Sequence, residues 1–303
     1  MNTGWAQRLT PKRLLQASVG VALVTMALKV LAWWLTGSVG LLSDAMESAV
    51  NLAGAMFGLW MVTIAARPAD ADHPYGHHKA EYFSSGFEGL LIIAAALGIA
   101  WAAIDRWWHP QPLQALDWGL TLALLASALN GMLAWLMLGA ARVHRSVALE
   151  GDARHLMTDV WTSAGVLLGL LLVWGTGWFW LDPAMALLMA ANVLREGARL
   201  VWRASQGLMD EALPVEDQQH IRAVLDDVTR RQGAVVFDHV VTRRAGQRGF
   251  ADVHMHVPGR WTLDQAAELR SAVEQALVAA LPGLTVTIQL LPLGHEPGEA
   301  PPR

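Results

Sequence analysis

The sequence predicts a polytopic α-helical membrane protein with six spanning helices, followed by a small α+β domain in the order αββαβ. Three observations predict it. Only 16% of the 303 residues are charged and 54% are apolar, whereas an ordinary soluble protein carries charge on about a quarter of its residues. The charge is also unevenly spread: the first 206 residues hold 13 Lys+Arg and 13 Asp+Glu, and the remaining third holds 9 and 13. Of the 15 Trp, only Trp261 lies beyond residue 206. Such a composition excludes disordered, collagenous and disulfide-stapled chains.

A bilayer core needs about 20 mostly apolar residues per helix, so charge-free stretches mark the spans. Residues 48–66, 118–141 and 160–181 contain no charge, and 89–104 is bounded by Glu88 and Asp105. Two further stretches are interrupted, 14–35 by Lys29 and the stretch from Pro183 to about Ser205 by Arg195, Glu196 and Arg199. The predicted helices are 14–36, 39–66, 83–108, 117–141, 147–175 and 180–205. Lys29 reads as a side chain that snorkels or sits near a helix end.

Lys and Arg are retained on the cytoplasmic side of a membrane. Arg8, Lys12 and Arg13 precede the first span, Arg67 and Lys79 separate the second and third, Arg142 and Arg145 separate the fourth and fifth, and Arg199 and Arg203 close the sixth. The alternate loops have no Lys or Arg. Both termini are therefore expected in the cytoplasm. Trp33, Trp34, Trp107, Trp108, Trp118, Trp174, Trp178 and Trp180 gather at the opposite ends, as an interfacial belt would. The first apolar run lacks a small-residue cleavage site and reads as a retained helix.

Ionisable side chains inside a span are costly and mark function unless a partner explains them. The second helix carries Asp44, Glu47 and Asn51, and the fifth carries His155 and Asp159. Glu47 and Asn51 are four residues apart, as are His155 and Asp159, so each pair projects from one helix face. Where the faces meet, four ligands converge. With Cys absent, a metal site must use imidazole, carboxylate or amide ligands, a set that suits Zn²⁺ and also holds Fe²⁺, Mn²⁺ or Co²⁺. The plainer alternative is helix-to-helix hydrogen bonding. Asp44 shares the face of Glu47 and reads as a further ligand or a supporting base.

These residues carry a resemblance. The segment 41–51 (LLSDAMESAVN), the linker 67–81 (RPADADHPYGHHKAE) and the run 155–159 (HLMTD) resemble the cation diffusion facilitators, over nearly the whole chain. The resemblance implies a dimeric exporter of divalent metal in exchange for protons, whose transport site matches Glu47, Asn51, His155 and Asp159. The usual residue at Asn51 is Asp, and an amide binds Zn²⁺ more weakly than a carboxylate. A second family site matches Asp70, His73 and His77 in the linker. Lys79 and Asp210 resemble a salt bridge that ties the linker to the following domain and interlocks the dimer.

Beyond residue 207 the periodicity changes. Helical spacing runs from Pro214 to about Arg231, strand alternation over 235–243 and 250–257, a capping-box helix from Thr262 to about Ala280, and a last strand over 284–291. This order is similar to the family's metallochaperone-like dimerisation domain. His239 and His254 match two of its metal positions and His256 adds a neighbour, while Ala267, Gln289 and Leu291 stand where further ligands are expected. The domains are expected at 1–206 and 207–294, with a disordered tail over 295–303.

The expected function is divalent metal efflux across the inner membrane coupled to proton influx, Zn²⁺ first, with Fe²⁺, Mn²⁺, Co²⁺ and Cd²⁺ as alternatives. His155 and Asp159 are the expected proton carriers, since an imidazole must shed its proton to hold a metal. The partners are the metal ion, protons, lipid and a second copy, without an organic cofactor, enzymatic activity or nucleic acid. A passive metal channel is the closest alternative, and a membrane haem protein a remote one.

Overall fold

A computed structural model describes residues 10–111, 113–144 and 146–294. Arg8, Arg145 and the 295–303 tail lie outside them. Among the described residues eight helices and three strands follow in order: α1 Pro11–Thr36, α2 Val39–Ala65, α3 Ala80–Trp108, α4 Leu116–His144, α5 Val147–Thr176, α6 Leu181–Leu208, α7 Val215–Gln232, β1 Val236–Ala245, β2 Arg248–Val257, α8 Leu263–Ala280 and β3 Leu284–Pro292.

Among the described residues five helices, α1 to α5, are long and apolar enough to cross a membrane. The sequence expectation was six. Helix α6 is present and is 28 residues long, but Asp182, Arg195, Glu196, Arg199 and Arg203 interrupt it. Charge rather than length separates it from the others.

The chain divides into two compact units, one built from residues up to Phe57 and from Phe87 to Val201, the other from Gly58 to Gly86 and from Trp202 onward. In the first unit the α1 to α2 turn depends on Gly37, whose φ of 65° ends α1 in the left-handed region that glycine tolerates. The start of α2 is capped from α6: Asp182 accepts hydrogen bonds from Ser38 Oγ (2.6 Å), Val39 N (2.9 Å) and Gly40 N (3.2 Å). A carboxylate suits the free N–H groups and positive end of a helix N-terminus. Helices α3 and α6 cross at Gly89 and Gly197, where a Cβ on either glycine would lie 3.0 Å from the other's carbonyl oxygen. That close approach fixes α6 beside the site described below.

In the second unit α7 and α8 cover one face of a three-stranded sheet ordered β1-β2-β3. β1 and β2 are antiparallel, and β2 and β3 are parallel. Ala251, Val253, Met255 and Val257 alternate from β2 into a core with Ile221, Leu225, Val273 and Leu277. Helix α8 opens with the predicted capping box, Thr262 Oγ1 accepting from Gln265 N and Gln265 Oε1 from Thr262 N. The β1 to β2 register shifts between Asp238 and Val241, and His239 there takes a φ of 45°. A β-branched or bulky residue pays strain in that region, so the bulge is a marked feature of the strand.

Candidate functional site

Helices α2 and α5 bring Glu47, Asn51, His155 and Asp159 to the lining of one cavity of about 230 Å³ in the first unit. Glu47, Asn51 and Asp159 are half-buried and His155 is exposed. Glu47 Oε2 is buried without a hydrogen-bond partner. An unsatisfied carboxylate oxygen in an apolar span costs free energy unless a cation or proton meets it. The four side chains share the cavity without closing up: among the described residues, the trios of His and carboxylate groups whose ligand atoms lie within 4.8 Å of one another are found elsewhere.

Two further polar residues, four apart on α6, line the same cavity: Asn192 and Glu196. Glu196 is held by Arg199 at 3.0 Å and Arg195 at 3.8 Å. Asn192 is not among the residues nominated from sequence; its signal there is the i,i+4 spacing to Glu196, the spacing that singled out Glu47 and Asn51. A second cavity of about 430 Å³ is lined by Met185 and Met189, and it shares Glu47, Thr162, Asn192 and Val193 with the first. These four residues therefore stand between the cavities.

Asp44 is not a free ligand. Its side chain is 2% exposed, accepts from Lys29 Nζ at 2.8 Å, and accepts from Ser163 Oγ at 2.9 Å. This corrects the reading of Lys29 as a snorkelling side chain: its whole length is buried, at 2% exposure. The carboxylate on α2 offers the ammonium a closer partner than water at the membrane edge.

Among the described residues, both of these close trios lie in the second unit. In the linker, Asp70 Oδ1 accepts from His73 N at 2.7 Å and Asp72 N at 3.1 Å. His73 Nδ1 lies 3.3 Å and His77 Nε2 3.4 Å from the same carboxylate. The His73 backbone N–H holds the Asp70 carboxyl below its ordinary range, so the group stays ionised in the mildly acidic range. His77 Nδ1 is buried and unpartnered.

On the sheet, the second trio is Asp238, His254 and His256. His254 Nδ1 is 3.3 Å from Asp238 Oδ1, and His256 Nε2 is 2.9 Å from Asp238 Oδ2. Asp238 Oδ1, His254 Nδ1 and His256 Nε2 nonetheless lack hydrogen-bond geometry and are buried. Close, converging and unsatisfied ligand atoms are the arrangement a cation completes. His239, nominated from sequence, stays outside this trio and stacks on the His254 ring with centroids 4.4 Å apart. The reason is the bulge, which breaks the period-two count and leaves Asp238 opposite His254. On β3 the neighbours of His254 and His256 are Gln289 and Leu291, which add no imidazole or carboxylate.

Lys79 Nζ lies 3.0 Å from Asp210 Oδ1, and Arg243 adds a contact at 3.3 Å. The Lys79 hydrogen bond holds the Asp210 carboxyl below its ordinary value of 3.8. A depressed carboxyl contributes stability above its unfolded value and loses it as pH falls through the lowered one. The contact is therefore expected to persist at about pH 4 and to break at lower pH, which the Asp210 carboxyl carbon shift would report. A break well above that pH would contradict the assignment.

The residues 15–209 match the cation efflux transmembrane domain, and 213–293 match the cytoplasmic domain of cation efflux proteins. The chain belongs to the cation diffusion facilitator family. Among its relatives, the uncharacterized transporter sll1263 of Synechocystis sp. is 46% identical over 290 residues, covering 94% of this chain and 93% of that one. The cation-efflux pump FieF of Yersinia pestis is 32% identical, covering 93% of each chain, and that of Klebsiella pneumoniae is 31% identical, covering 90% and 89%. A solved chain of the transporter CzrB in its zinc form is 39% identical, covering 29% of this chain and 97% of that one, with a TM-score of 0.27. This cation diffusion facilitator is thus a multi-pass divalent-cation efflux transporter and not an enzyme.

Proposed function

We propose that the protein exports a divalent transition metal across the inner membrane in exchange for protons, through a site formed by Glu47, Asn51, His155 and Asp159. The observation that carries this reading is the shared cavity, with Glu47 Oε2 buried and unpartnered inside a span. Glu47 and Asp159 together offer two negative charges, the formal charge needed to balance one divalent ion. His155 supplies an imidazole that binds metal only when deprotonated, so metal entry and proton release are linked at that ring. Asp159 is the second proton carrier. Helix α6 completes six spans with both termini in the cytoplasm, and Asn192 passes the ion between the two cavities.

Imidazole with carboxylate oxygens favours Zn²⁺, while the Asn51 amide tilts the site toward more oxygen-loving ions such as Mn²⁺ and Fe²⁺. In reconstituted vesicles, Asn51→Asp is expected to strengthen Zn²⁺ transport at the expense of Mn²⁺ and Fe²⁺ in a competition series. An unchanged order would remove Asn51 from the selectivity argument. Proton coupling is read in the same vesicles: an imposed pH gradient drives metal uptake in an antiporter, and metal flux indifferent to the gradient would mark a channel.

In the cytoplasm, Asp70, His73 and His77 bind metal in the linker, and Asp238, His254 and His256 bind a single ion in the dimerisation domain. The Lys79 to Asp210 bridge ties these parts together within a homodimer. Calorimetric titration of the full chain with Zn²⁺ is expected to lose a binding step on Asp238→Ala, with that step weakened by about tenfold or more. His239→Ala is expected to keep it. The reverse ranking would restore His239 to the ligand set.

A further inference from the structure

Within the first unit, the most closely tied polar group that transport chemistry leaves unused is the buried cluster around Lys29. Lys29 Nζ donates to Asp44 Oδ1 at 2.8 Å and to Ser48 Oγ at 3.0 Å, and Ser163 Oγ donates to the same carboxylate at 2.9 Å. The Lys29 and Asp44 side chains are each 2% exposed. Three helices meet here, α1 through Lys29, α2 through Asp44 and Ser48, and α5 through Ser163. Asp44 lies three residues before Glu47 and Ser163 four residues after Asp159. Each is thus one turn from a transport-site carboxylate, on the same helix face.

A buried ion pair of this kind contributes little to stability, because the desolvation of both charges offsets their attraction. Inside a span such charges pair with one another and accompany ion pathways. Asp44, Glu47 and Asp159 carry three formal negative charges on two neighbouring helices. Lys29 reduces them to two, the charge of one divalent ion.

We propose that Lys29 and Asp44 form a resident, charge-balanced pair that sets the electrostatic field of the transport site one turn away, with Lys29 keeping Asp44 out of the ligand set. Both are positioning residues, acting through the field they impose and not by contact with the ion. The inference rests on the four-residue reading of the transport site.

The test compares KM and the maximal rate of Zn²⁺ uptake in vesicles containing the full chain. Lys29→Met frees Asp44 as a further anion. KM is expected to fall about tenfold or more, and the maximal rate to fall with it because release slows. Asp44→Asn leaves Lys29 as an unbalanced cation, and KM is expected to rise by about the same factor. Lys29→Arg keeps the charge and stays within about threefold of native. The doubly neutral Lys29→Met, Asp44→Asn variant falls between the two single variants. Ser163→Ala removes a hydrogen bond without changing charge and shifts KM less than either.

A purely mechanical role predicts that both single variants move KM in the same direction, or move the rate alone, and either result overturns the proposal. If one single variant does not fold, the other is compared with the neutral double variant. A KM that does not return toward the native value when the second charge is also removed then overturns it. Glu47→Gln is the control. A native KM there overturns the transport-site reading and this inference together, whereas a lost uptake with same-direction shifts at Lys29 and Asp44 overturns this inference alone.

Discussion

Asp159→Ala is expected to abolish metal-driven proton flux in vesicles, with metal affinity reduced by about a hundredfold or more. Asp159 lines the cavity with Glu47, Asn51 and His155, and among those four residues it supplies one of the two carboxylates. Removing it leaves a single formal negative charge to meet a divalent ion. The deficit is felt in a low-dielectric span, where an unbalanced charge is far more costly than at a surface. The loss should appear both as metal uptake, read with a metal-sensitive dye, and as proton movement, read with a pH-sensitive one. Asp159→Asn separates charge from shape, since it keeps a ligand oxygen and the volume, and it is expected to lose nearly as much. Flux at the native level in Asp159→Ala would sink the transport-site assignment.

Asp182→Ala is expected to lower stability by about 3 kcal/mol. The carboxylate is 4% exposed and accepts from Ser38 Oγ, Val39 N and Gly40 N. Alanine strands those donors at the start of α2, where no preceding turn can take them. Helix α2 carries Glu47 and Asn51, so its first turn also sets where these cavity-lining side chains sit. Asp182→Asn retains an acceptor oxygen but gives up the charge that favours a helix N-terminus, and is expected to recover part of the loss. Thermal unfolding in detergent checks both variants, and a midpoint for Asp182→Ala within about 1 °C of native would refute the cap as a stabilising contact.

The two variants differ in how visible their residues are from sequence. Asp159 stands out because it is an acid within a predicted span and lies four residues from His155. Asp182 reads as an ordinary polar residue at a helix start, and its partners lie more than 140 residues away. The same contrast separates Glu47 from Lys29. Both are ionisable groups in spans, yet periodicity offered Lys29 no partner, because Asp44 is on another helix. Asn192 carries no charge and shows in the sequence only through its spacing to Glu196.

The small domain shows the complementary case. Its capping box, helices and strands follow local rules, and the structure has them in the predicted order. The local rule failed at the bulge beside His239, where one extra residue moves Asp238 onto the face of His254 and His256. A bulge of this kind is set by pairing with the neighbouring strand, which the alternation within β1 does not record.

By itself, then, the sequence determined the apolar spans, the two i,i+4 polar pairs within them, the linker's Asp and His triplet and the αββαβ order, because each depends on spacing within one continuous segment. Tertiary structure decided that Lys29 pairs with Asp44, that Asp182 caps α2, that Asn192 joins the cavity and that Asp238 lies against His254 and His256 while His239 stacks on His254. The physical reason is rotation and register. A spanning helix that is apolar on every side marks no face for its neighbours, so only packing determines which of its few polar groups meet.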